Sequence, residues 1–310
     1  MKKLFFILLL AVGQQINAQE VTVARWLGNA RAAVSYTFDD GLMDQYTLAF
    51  PELQKRGIHA TFHIIGSKVG GDHKGTPCMT WEQIRQLHQS GHEISSHGYR
   101  HIGLNKLSGE ALRYEIEHND TLIYNEIGIY PRTYCFPGGK KTPEGVTLAL
   151  QGRIGARMFQ TSIGSKRDSL WLSGWLRRLI KNQEWGVGMT HGILVGYDHF
   201  TDANIFWQPL DEAASLRKEG KLWIAPLADV AAYQAESDTL QMKVKRKKEK
   251  LVVTAKVALD KQLYRQPLTL IIEGTIKEAR QDHRPLMVIR REGYSLIDIQ
   301  PHGGTITIKL

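Results

Sequence analysis

The stretch Ala33-Val34-Ser35-Tyr36-Thr37-Phe38-Asp39-Asp40-Gly41 decides how this chain is interpreted. Its first six residues are small, β-branched or aromatic, which predicts a buried strand, and Gly41 ends that strand. Asp39 and Asp40 therefore stand at the carboxyl end of a strand, where the sites of α/β folds gather. Adjacent carboxylates are costly to hold together unless a cation or a proton neutralises one of them. The pair predicts a metal or a proton, with a plain Asp-Gly turn as the alternative.

A second cluster, His97-Gly98-Tyr99-Arg100-His101, follows another predicted strand. Two imidazoles and one carboxylate are three ligands for a divalent ion such as Zn²⁺, and they leave a coordination position free for water. The other aspartate of the pair is then left to act as a base on that water. His-x-x-x-His alone can be two solvated histidines, but both clusters together, each after its own strand, indicate a metal site.

Strand-like and helix-like segments alternate over the first two thirds of the chain. The predicted strands cover residues 34–38, 60–65, 93–96, 133–136, 156–161, 187–190 and 222–225. Helices are predicted over 81–89, after the N-cap residue Thr80, and over 110–126, after Ser108. This alternation favours parallel strands with right-handed crossovers. Seven strands with the chemistry at their carboxyl ends predict a closed or nearly closed barrel.

The sequence changes character after about Ser237. Short β-rich runs separated by turn residues predict a small all-β domain, a sandwich. These runs cover residues 251–257, 268–273, 286–290, 295–299 and 305–309. The basic run Lys243–Lys250 (KVKRKKEK) continues into apolar residues like a hairpin. Because no nucleic-acid motif accompanies it, we interpret it as a solvated strand and turn and expect no nucleic-acid partner.

The N-terminus predicts export. Lys2 and Lys3 precede an apolar run, and Ala18 is a small residue suited to cleavage before Gln19. We therefore expect a signal peptide over 1–18, a barrel over 19–236 and a β-sandwich over 237–310, in a periplasmic or secreted protein without a transmembrane segment. The two cysteines, Cys78 and Cys135, permit a disulfide in an oxidising compartment, but two buried thiols are favoured in a chain with this much core.

Five segments of residues 30–235 resemble the NodB-homology polysaccharide deacetylases, in the order in which that family carries its motifs. The segments are TFDDG at 37–41, RGIHATFHIIG at 56–66, GHEISSHGYRH at 91–101, GVGMTHG at 186–192 and WIAPLADVAAY at 223–233. The resemblance implies a distorted (β/α)7-type barrel, which agrees with the strand count. It implies a metal-dependent hydrolase that removes N- or O-linked acetyl groups from an acetylated glycan.

The resemblance also assigns roles to individual residues. It implies that Asp40, His97 and His101 bind the metal, which we expect to be Zn²⁺ or another divalent ion such as Co²⁺ or Ni²⁺. It makes Asp39 the catalytic base and His191 the acid that protonates the leaving amine or alcohol. The backbone N–H of Gly138 is the best candidate for binding the oxyanion.

One motif departs from the family pattern. The third family motif carries an arginine that tethers the catalytic aspartate, but here the segment is Tyr134-Cys135-Phe136-Pro137-Gly138-Gly139, with Cys135 at that place. We expect Arg132 or Arg157 to supply the missing charge. Asp168 or Trp171 is a candidate for a further motif. His63 is a candidate for lining the pocket.

Two other functions stay open. The missing arginine motivates a non-catalytic or weakly catalytic carbohydrate-binding protein on a deacetylase scaffold. A different metal-dependent hydrolase, such as a phosphoesterase, would use the same ligands, although the sequence shows no anion cradle near them. Trp175, Trp185, Tyr197 and Trp207 are candidates for stacking on sugar rings, with core packing as the alternative.

Overall fold

The computed structural model describes residues 21–165 and 167–310. The predicted signal peptide therefore lies outside the described residues and stays a prediction. Among the described residues, no helix combines the length and the apolar character needed to cross a membrane.

The strand that carries the aspartate pair lies inside the main sheet. It covers Ala32–Phe38, and all seven of its residues are buried. It pairs in parallel with Trp185–Thr190 on one side and with both Thr61–Ile64 and Leu222–Ile224 on the other. This sheet has eight strands, and Leu222–Ile224 lies off its main path. The other seven follow one another in the order Gly155–Ala156, Thr133–Tyr134, Glu93–Ser96, Thr61–Ile64, Ala32–Phe38, Trp185–Thr190 and Thr161–Ser162.

The two end strands of this path show how far the barrel closes. The sequence predicts a single strand over 156–161, and this prediction is wrong. Gly155–Ala156 and Thr161–Ser162 are separate strands at opposite ends of the path. Only residues 157–160 join them, so that the two ends lie within about 18 Å of each other, the reach of five residue steps. The sheet is therefore a distorted (β/α) barrel that is not fully closed. The short connection of residues 157–160 spans the gap between its two end strands.

Helices follow the strands and cover the outside of the sheet. The α-helices are Phe50–Lys55, Trp81–Gln89, Gly109–Arg113, Asn119–Ile127, Pro143–Leu150, Ser169–Asn182, Asn204–Lys218 and Leu227–Thr239. Thr80 caps Trp81–Gln89 as predicted, in a reciprocal pair with Gln83. Ser108 stands at the N-cap of the next helix, but its side chain accepts no capping hydrogen bond. Gly109, the first residue of this helix, has a φ of 51°, outside the right-handed helical region.

The C-terminal strands form two sheets with a common core. One sheet has the order Gln241–Lys247, Lys250–Lys256, Ile306–Lys309, Glu278–Gln281 and Arg284–Leu286, and the other has the order Val21–Val23, Leu268–Glu273, Tyr294–Ile299 and Ile289–Arg291. Apolar residues of both, such as Leu251, Leu270 and Ile308, pack in one cluster. This is the predicted sandwich, and the basic run forms the predicted hairpin. The predicted strand 286–290 is in fact two strands, one in each sheet.

The N-terminal strand joins this sandwich. Val21–Val23 pairs antiparallel with Leu268–Glu273. Tyr233 of the last barrel helix packs in the same core, and its hydroxyl donates to the backbone oxygen of Ala24 at 2.7 Å. The chain thus begins in the sandwich with Val21–Val23, continues through the barrel and returns to the sandwich. The domain boundaries proposed from the sequence stay predictions.

Candidate active site

Five strands of the barrel are each followed directly by a residue of the candidate site. Asp39 follows Ala32–Phe38, His97 follows Glu93–Ser96, Cys135 follows Thr133–Tyr134, Arg157 follows Gly155–Ala156 and His191 follows Trp185–Thr190. Because these strands are parallel, their carboxyl ends meet at one edge of the sheet.

A pocket of about 630 Å³ opens at this edge. All six site residues predicted from the sequence line it: Asp39, Asp40, His97, His101, Gly138 and His191. Its wall also contains Arg157 and a hairpin with His73 and Lys74. The structure therefore brings the sequence-predicted set together in a single cavity.

Three of these residues have the geometry of a metal site. Oδ1 of Asp40 lies 3.5 Å from Nε2 of His97 and 3.5 Å from Nε2 of His101. In tetrahedral zinc sites with bonds of 2.0–2.1 Å, neighbouring ligand atoms are about 3.4 Å apart. Oδ1 is buried and accepts no hydrogen bond from the described residues. The residues therefore fit a divalent ion in both spacing and chemistry.

The backbone orients these ligands. Asp40 has a φ of 73° and His101 a φ of 62°, in the left-handed region that residues other than glycine seldom adopt. His97 is held through its other ring nitrogen, Nδ1, which lies 2.9 Å from the backbone oxygen of Cys135. Such a contact fixes the tautomer that leaves Nε2 free to bind a metal.

The pKa values of the ligands reflect their burial. Burial, and then the charge of Asp39, raises the pKa of Asp40 to about 7. Burial lowers the pKa of His97 to about 4, and burial together with His97 lowers the pKa of His101 to about 3. The imidazoles are therefore neutral at neutral pH, as metal ligands must be.

Arg157 holds the second aspartate. Its Nη1 donates to Oδ1 of Asp39 at 2.7 Å and its Nη2 donates to Oδ2 at 2.5 Å, while Nη1 also donates to Oγ1 of Thr37 at 2.8 Å. Burial alone would raise the pKa of Asp39, but the guanidinium of Arg157 holds it well below its usual range. Asp39 is thus an oriented, ionised carboxylate. Arg132, the other cation considered, pairs with Asp229 instead, at 2.8 Å.

Two residues of a helical segment support the loop that begins at His191. Oδ2 of Asp44 accepts hydrogen bonds from the backbone N–H groups of Ile193, Leu194 and Val195, at 2.7, 2.8 and 3.3 Å. The side-chain amide of Gln45 donates to the backbone oxygens of both Asp39 and His191. The base and acid candidates are therefore tied to the same short segment.

His191 itself lies against the opening of the pocket. Its Nε2 is 3.9 Å from Oδ2 of Asp40, and its ring meets the ring of Tyr197 edge-on at 5.4 Å. Its backbone N–H donates to the backbone oxygen of Asp198 at 3.0 Å. Burial lowers its pKa, and the negative charges of Asp39 and Asp198 oppose that change.

Several other candidates lie elsewhere. Asp168 caps the helix Ser169–Asn182, where it accepts from the N–H of Trp171 at 2.7 Å, so that its role is structural. Of the four aromatic residues considered for sugar stacking, Tyr197 lines the pocket and its side chain is 83% exposed. Trp175 is in the core. His63 is buried and is not among the residues that line the pocket. Cys78 and Cys135 are buried free thiols.

The sequence reasoning missed His73, Lys74, Asp44, Gln45 and Asp198. Asp44 and Gln45 could have been suspected, because they lie in the first helical turn after the aspartate pair and can reach the same edge of the sheet. His73 and Lys74 lie at the turn of a hairpin formed by Asp72–His73 and Thr76–Pro77. Its sequence, HKGTP, is typical of an ordinary turn. Nothing in this local sequence indicates that His73 lies near Asp40.

Comparisons with known proteins point to one family. Residues 28–158 match the family model described as Polysaccharide deacetylase. YxkH of Bacillus subtilis, whose name assigns it to the polysaccharide deacetylases, is 33% identical over 129 residues, which are 42% of this chain and 44% of that protein. Chitin deacetylase 1 of Cryptococcus neoformans is 30% identical over 103 residues, which are 33% of this chain and 20% of that protein. The chain thus matches less than half the length of these curated relatives.

A solved structure of a Mycobacterium smegmatis protein, named as a polysaccharide deacetylase, matches the fold with a TM-score of 0.56. The match covers 73% of this chain and 98% of that chain, at 14% sequence identity. The likeness therefore concerns the fold alone. His191 and the sandwich strands after residue 239 lie beyond the residues of the family match. By its sequence, the region of residues 28–158 is similar to the polysaccharide deacetylase family.

Proposed function

We propose that this protein is a metal-dependent hydrolase that removes acetyl groups from a glycan. The observation that carries the proposal is the spacing of Asp40, His97 and His101, whose ligand atoms all lie within 4.8 Å of one another. These residues would hold a divalent ion, with Zn²⁺ favoured by the mixture of imidazole and carboxylate ligands. When bound, such an ion polarises the acetyl carbonyl and lowers the pKa of water.

The other residues of the pocket supply proton transfer and orientation. Asp39 stays ionised at neutral pH because of Arg157, and it would take the proton of the attacking water. His191 would then protonate the leaving nitrogen or oxygen. The backbone of Gly138 lies on the pocket wall with a φ of 58°, and its N–H would donate to the negatively charged acyl oxygen. The exposed ring of Tyr197 offers a surface for a sugar ring.

The competing functions are less well supported. The non-catalytic scaffold was motivated by the missing arginine at Cys135, and Arg157 now pairs with Asp39 in its place. A phosphoesterase would need cations free to bind a phosphate. Two basic side chains, Arg157 and Lys74, line the pocket. Arg157 is paired with Asp39, whereas Lys74 forms no ion pair with the described residues. We still expect the protein to be exported.

The test is metal analysis combined with acetate release. Purified protein should carry about one divalent ion per chain, and a chelator should abolish acetate release from a panel of N- and O-acetylated glycans. His97→Ala and His101→Ala should lose the ion, whereas Asp39→Asn should keep it and lose turnover. If Asp39→Asn also empties the site, the two aspartates have been assigned the wrong way round. Phosphate release from phosphoesters without acetate release would favour the phosphoesterase.

A further inference from the structure

His73 is a buried polar side chain whose role the proposed mechanism leaves open. It is 8% exposed, and neither ring nitrogen has a hydrogen-bond partner among the described residues. A buried polar group without a partner costs about 1–3 kcal/mol. Such groups are rare enough in folded proteins that each one calls for an explanation.

The backbone fixes His73 above the metal-site loop. Its hairpin, Asp72–His73 and Thr76–Pro77, is bonded at the base to the turn that follows Asp40. The N–H of Met79 donates to the oxygen of Gly41 at 2.9 Å, and Cys78 forms a β-bridge with Leu42. The hairpin and the Asp40 turn are therefore one connected unit, and the position of His73 relative to Asp40 is set by main-chain bonds.

The two oxygens of Asp40 face different imidazoles. Oδ1 faces His97 and His101, at 3.5 Å each. Oδ2 faces Nε2 of His73 at 3.6 Å. The ring of His73 also meets the ring of His101 edge-on, with centroids 5.0 Å apart. Among the described residues, two clusters have ligand atoms within 4.8 Å of one another: Asp40, His97 and His101 form one, and Asp39, His63 and Cys135 form the other. Neither cluster includes His73. His73 therefore stands beside the oxygen that the metal cluster does not use.

We propose that His73 is a positioning residue for the metal ligand Asp40. Its Nε2–H donates to Oδ2 after a small rotation of the side chain, and this bond keeps Oδ1 turned toward the two histidine ligands. Cys135 holds His97 in the same way through its backbone oxygen, so that two of the three ligands have a supporting partner. The inference rests on the proposed function in one respect, that Asp40 binds the metal. Loss of such a partner typically lowers metal affinity 10–100-fold.

The experiment measures zinc affinity in the absence of substrate. Metal-free protein, wild type or variant, competes for Zn²⁺ with a chelating dye of known affinity. We expect His73→Ala to bind zinc about 10–100-fold more weakly than wild type. His73→Gln should recover most of the affinity, because its side-chain amide can reach the place of Nε2. Equal affinity in wild type and His73→Ala would overturn the proposal.

Two controls isolate the imidazole. Lys74→Ala removes the neighbouring charge from the same turn and should bind zinc as tightly as wild type, or more tightly. His88→Ala removes a half-buried histidine from the helix Trp81–Gln89 and should have no effect. If His73→Ala does not fold, as judged by circular dichroism, the comparison of His73→Gln with His73→Leu decides. Equal affinity of these two would also overturn the proposal.

Cobalt distinguishes a supporting residue from a metal ligand. At saturating Co²⁺, His73→Ala should show the visible absorption bands of wild type, because the ligand set is unchanged. A changed coordination number would make His73 a ligand and would overturn the proposal. A wild type that binds no divalent ion would refute the proposed function itself. A wild type that binds zinc but releases no acetate would refute the proposed activity and leave the role of His73 intact.

Discussion

Arg157 donates two parallel hydrogen bonds to the carboxylate of Asp39, a residue 118 positions away in the sequence, and both side chains are buried. Arg157 follows the end strand Gly155–Ala156, in the short connection across the gap of the barrel. The pair therefore links the middle of the sheet to its end. It also supplies the charge that Cys135 does not provide.

Replacement of Arg157 should separate its structural and catalytic effects. Arg157→Ala leaves a buried carboxylate without its cation, which should lower the free energy of unfolding by about 3–5 kcal/mol. Arg157→Lys keeps a charge but loses the planar fork. We expect it to fold and bind zinc, with kcat lowered about 100-fold by the displacement of Asp39. Urea unfolding, zinc content and acetate release are the measurements.

Arg132→Ala is the matched control for this pair. Arg132 forms a partly exposed pair with Asp229, and a pair of this kind contributes about 0–1 kcal/mol. Its loss should leave kcat unchanged. If Arg157→Lys has the activity of wild type, the tether has no catalytic role.

Asp44 should matter for turnover but not for metal binding. Asp44→Ala removes the acceptor of three backbone N–H groups in the loop after His191, which should cost about 1–3 kcal/mol of stability. The displaced loop should lower kcat by up to about 100-fold. Zinc affinity should stay that of wild type, because the three metal ligands lie on other loops. Unchanged kcat in a folded Asp44→Ala variant would show that this loop does not position His191.

The sequence was informative wherever chemistry follows directly from local pattern. The strand before Asp39 and the helix Trp81–Gln89 with its Thr80 cap could be predicted, since burial and capping depend on neighbouring residues. The convergence of Asp40, His97 and His101 followed from parallel strands meeting at one edge.

Features that depend on distant contacts could not be predicted in this way. The segment 156–161 has the composition of one strand, but it must cross the gap of the barrel, and it turns Arg157 inward to Asp39. The Val21–Val23 strand pairs with residues about 250 positions later, which no local pattern reveals. His73 lies on a turn whose position is set by bonds to the Asp40 loop.

Glu236 should make stability depend on pH. Its side chain is buried at the end of the last barrel helix, where Oε2 accepts from the N–H of Gln266 at 3.1 Å and Oε1 has no partner among the described residues. Burial raises its pKa from 4.5 to about 7, although the Gln266 bond and the charge of Arg132 oppose that change. The fold therefore favours the protonated form, and ionisation costs stability as the pH rises from 4.5 through 7.

Glu236→Gln removes this ionisation. We expect the variant to match wild type in urea unfolding near pH 4.5 and to become more stable by about 1–2 kcal/mol above pH 7. The difference should grow between these two values and then stay constant. A difference that does not vary with pH would mean that Glu236 titrates normally in the folded protein.

Removal of the sandwich should weaken the barrel without abolishing its chemistry. Every residue that lines the pocket lies between positions 39 and 197, so that a protein of residues 24–239 retains the whole site. It loses the apolar cover of Tyr233 and Trp223, which pack against the sandwich core. Each large side chain that becomes exposed costs about 1.5–3 kcal/mol, which should lower the melting temperature. Below that temperature, the truncated, metal-loaded protein should hydrolyse a small acetyl ester with the kcat of the full chain. A truncated protein that is folded and metal-loaded but cannot hydrolyse the ester would show that the sandwich contributes to the site.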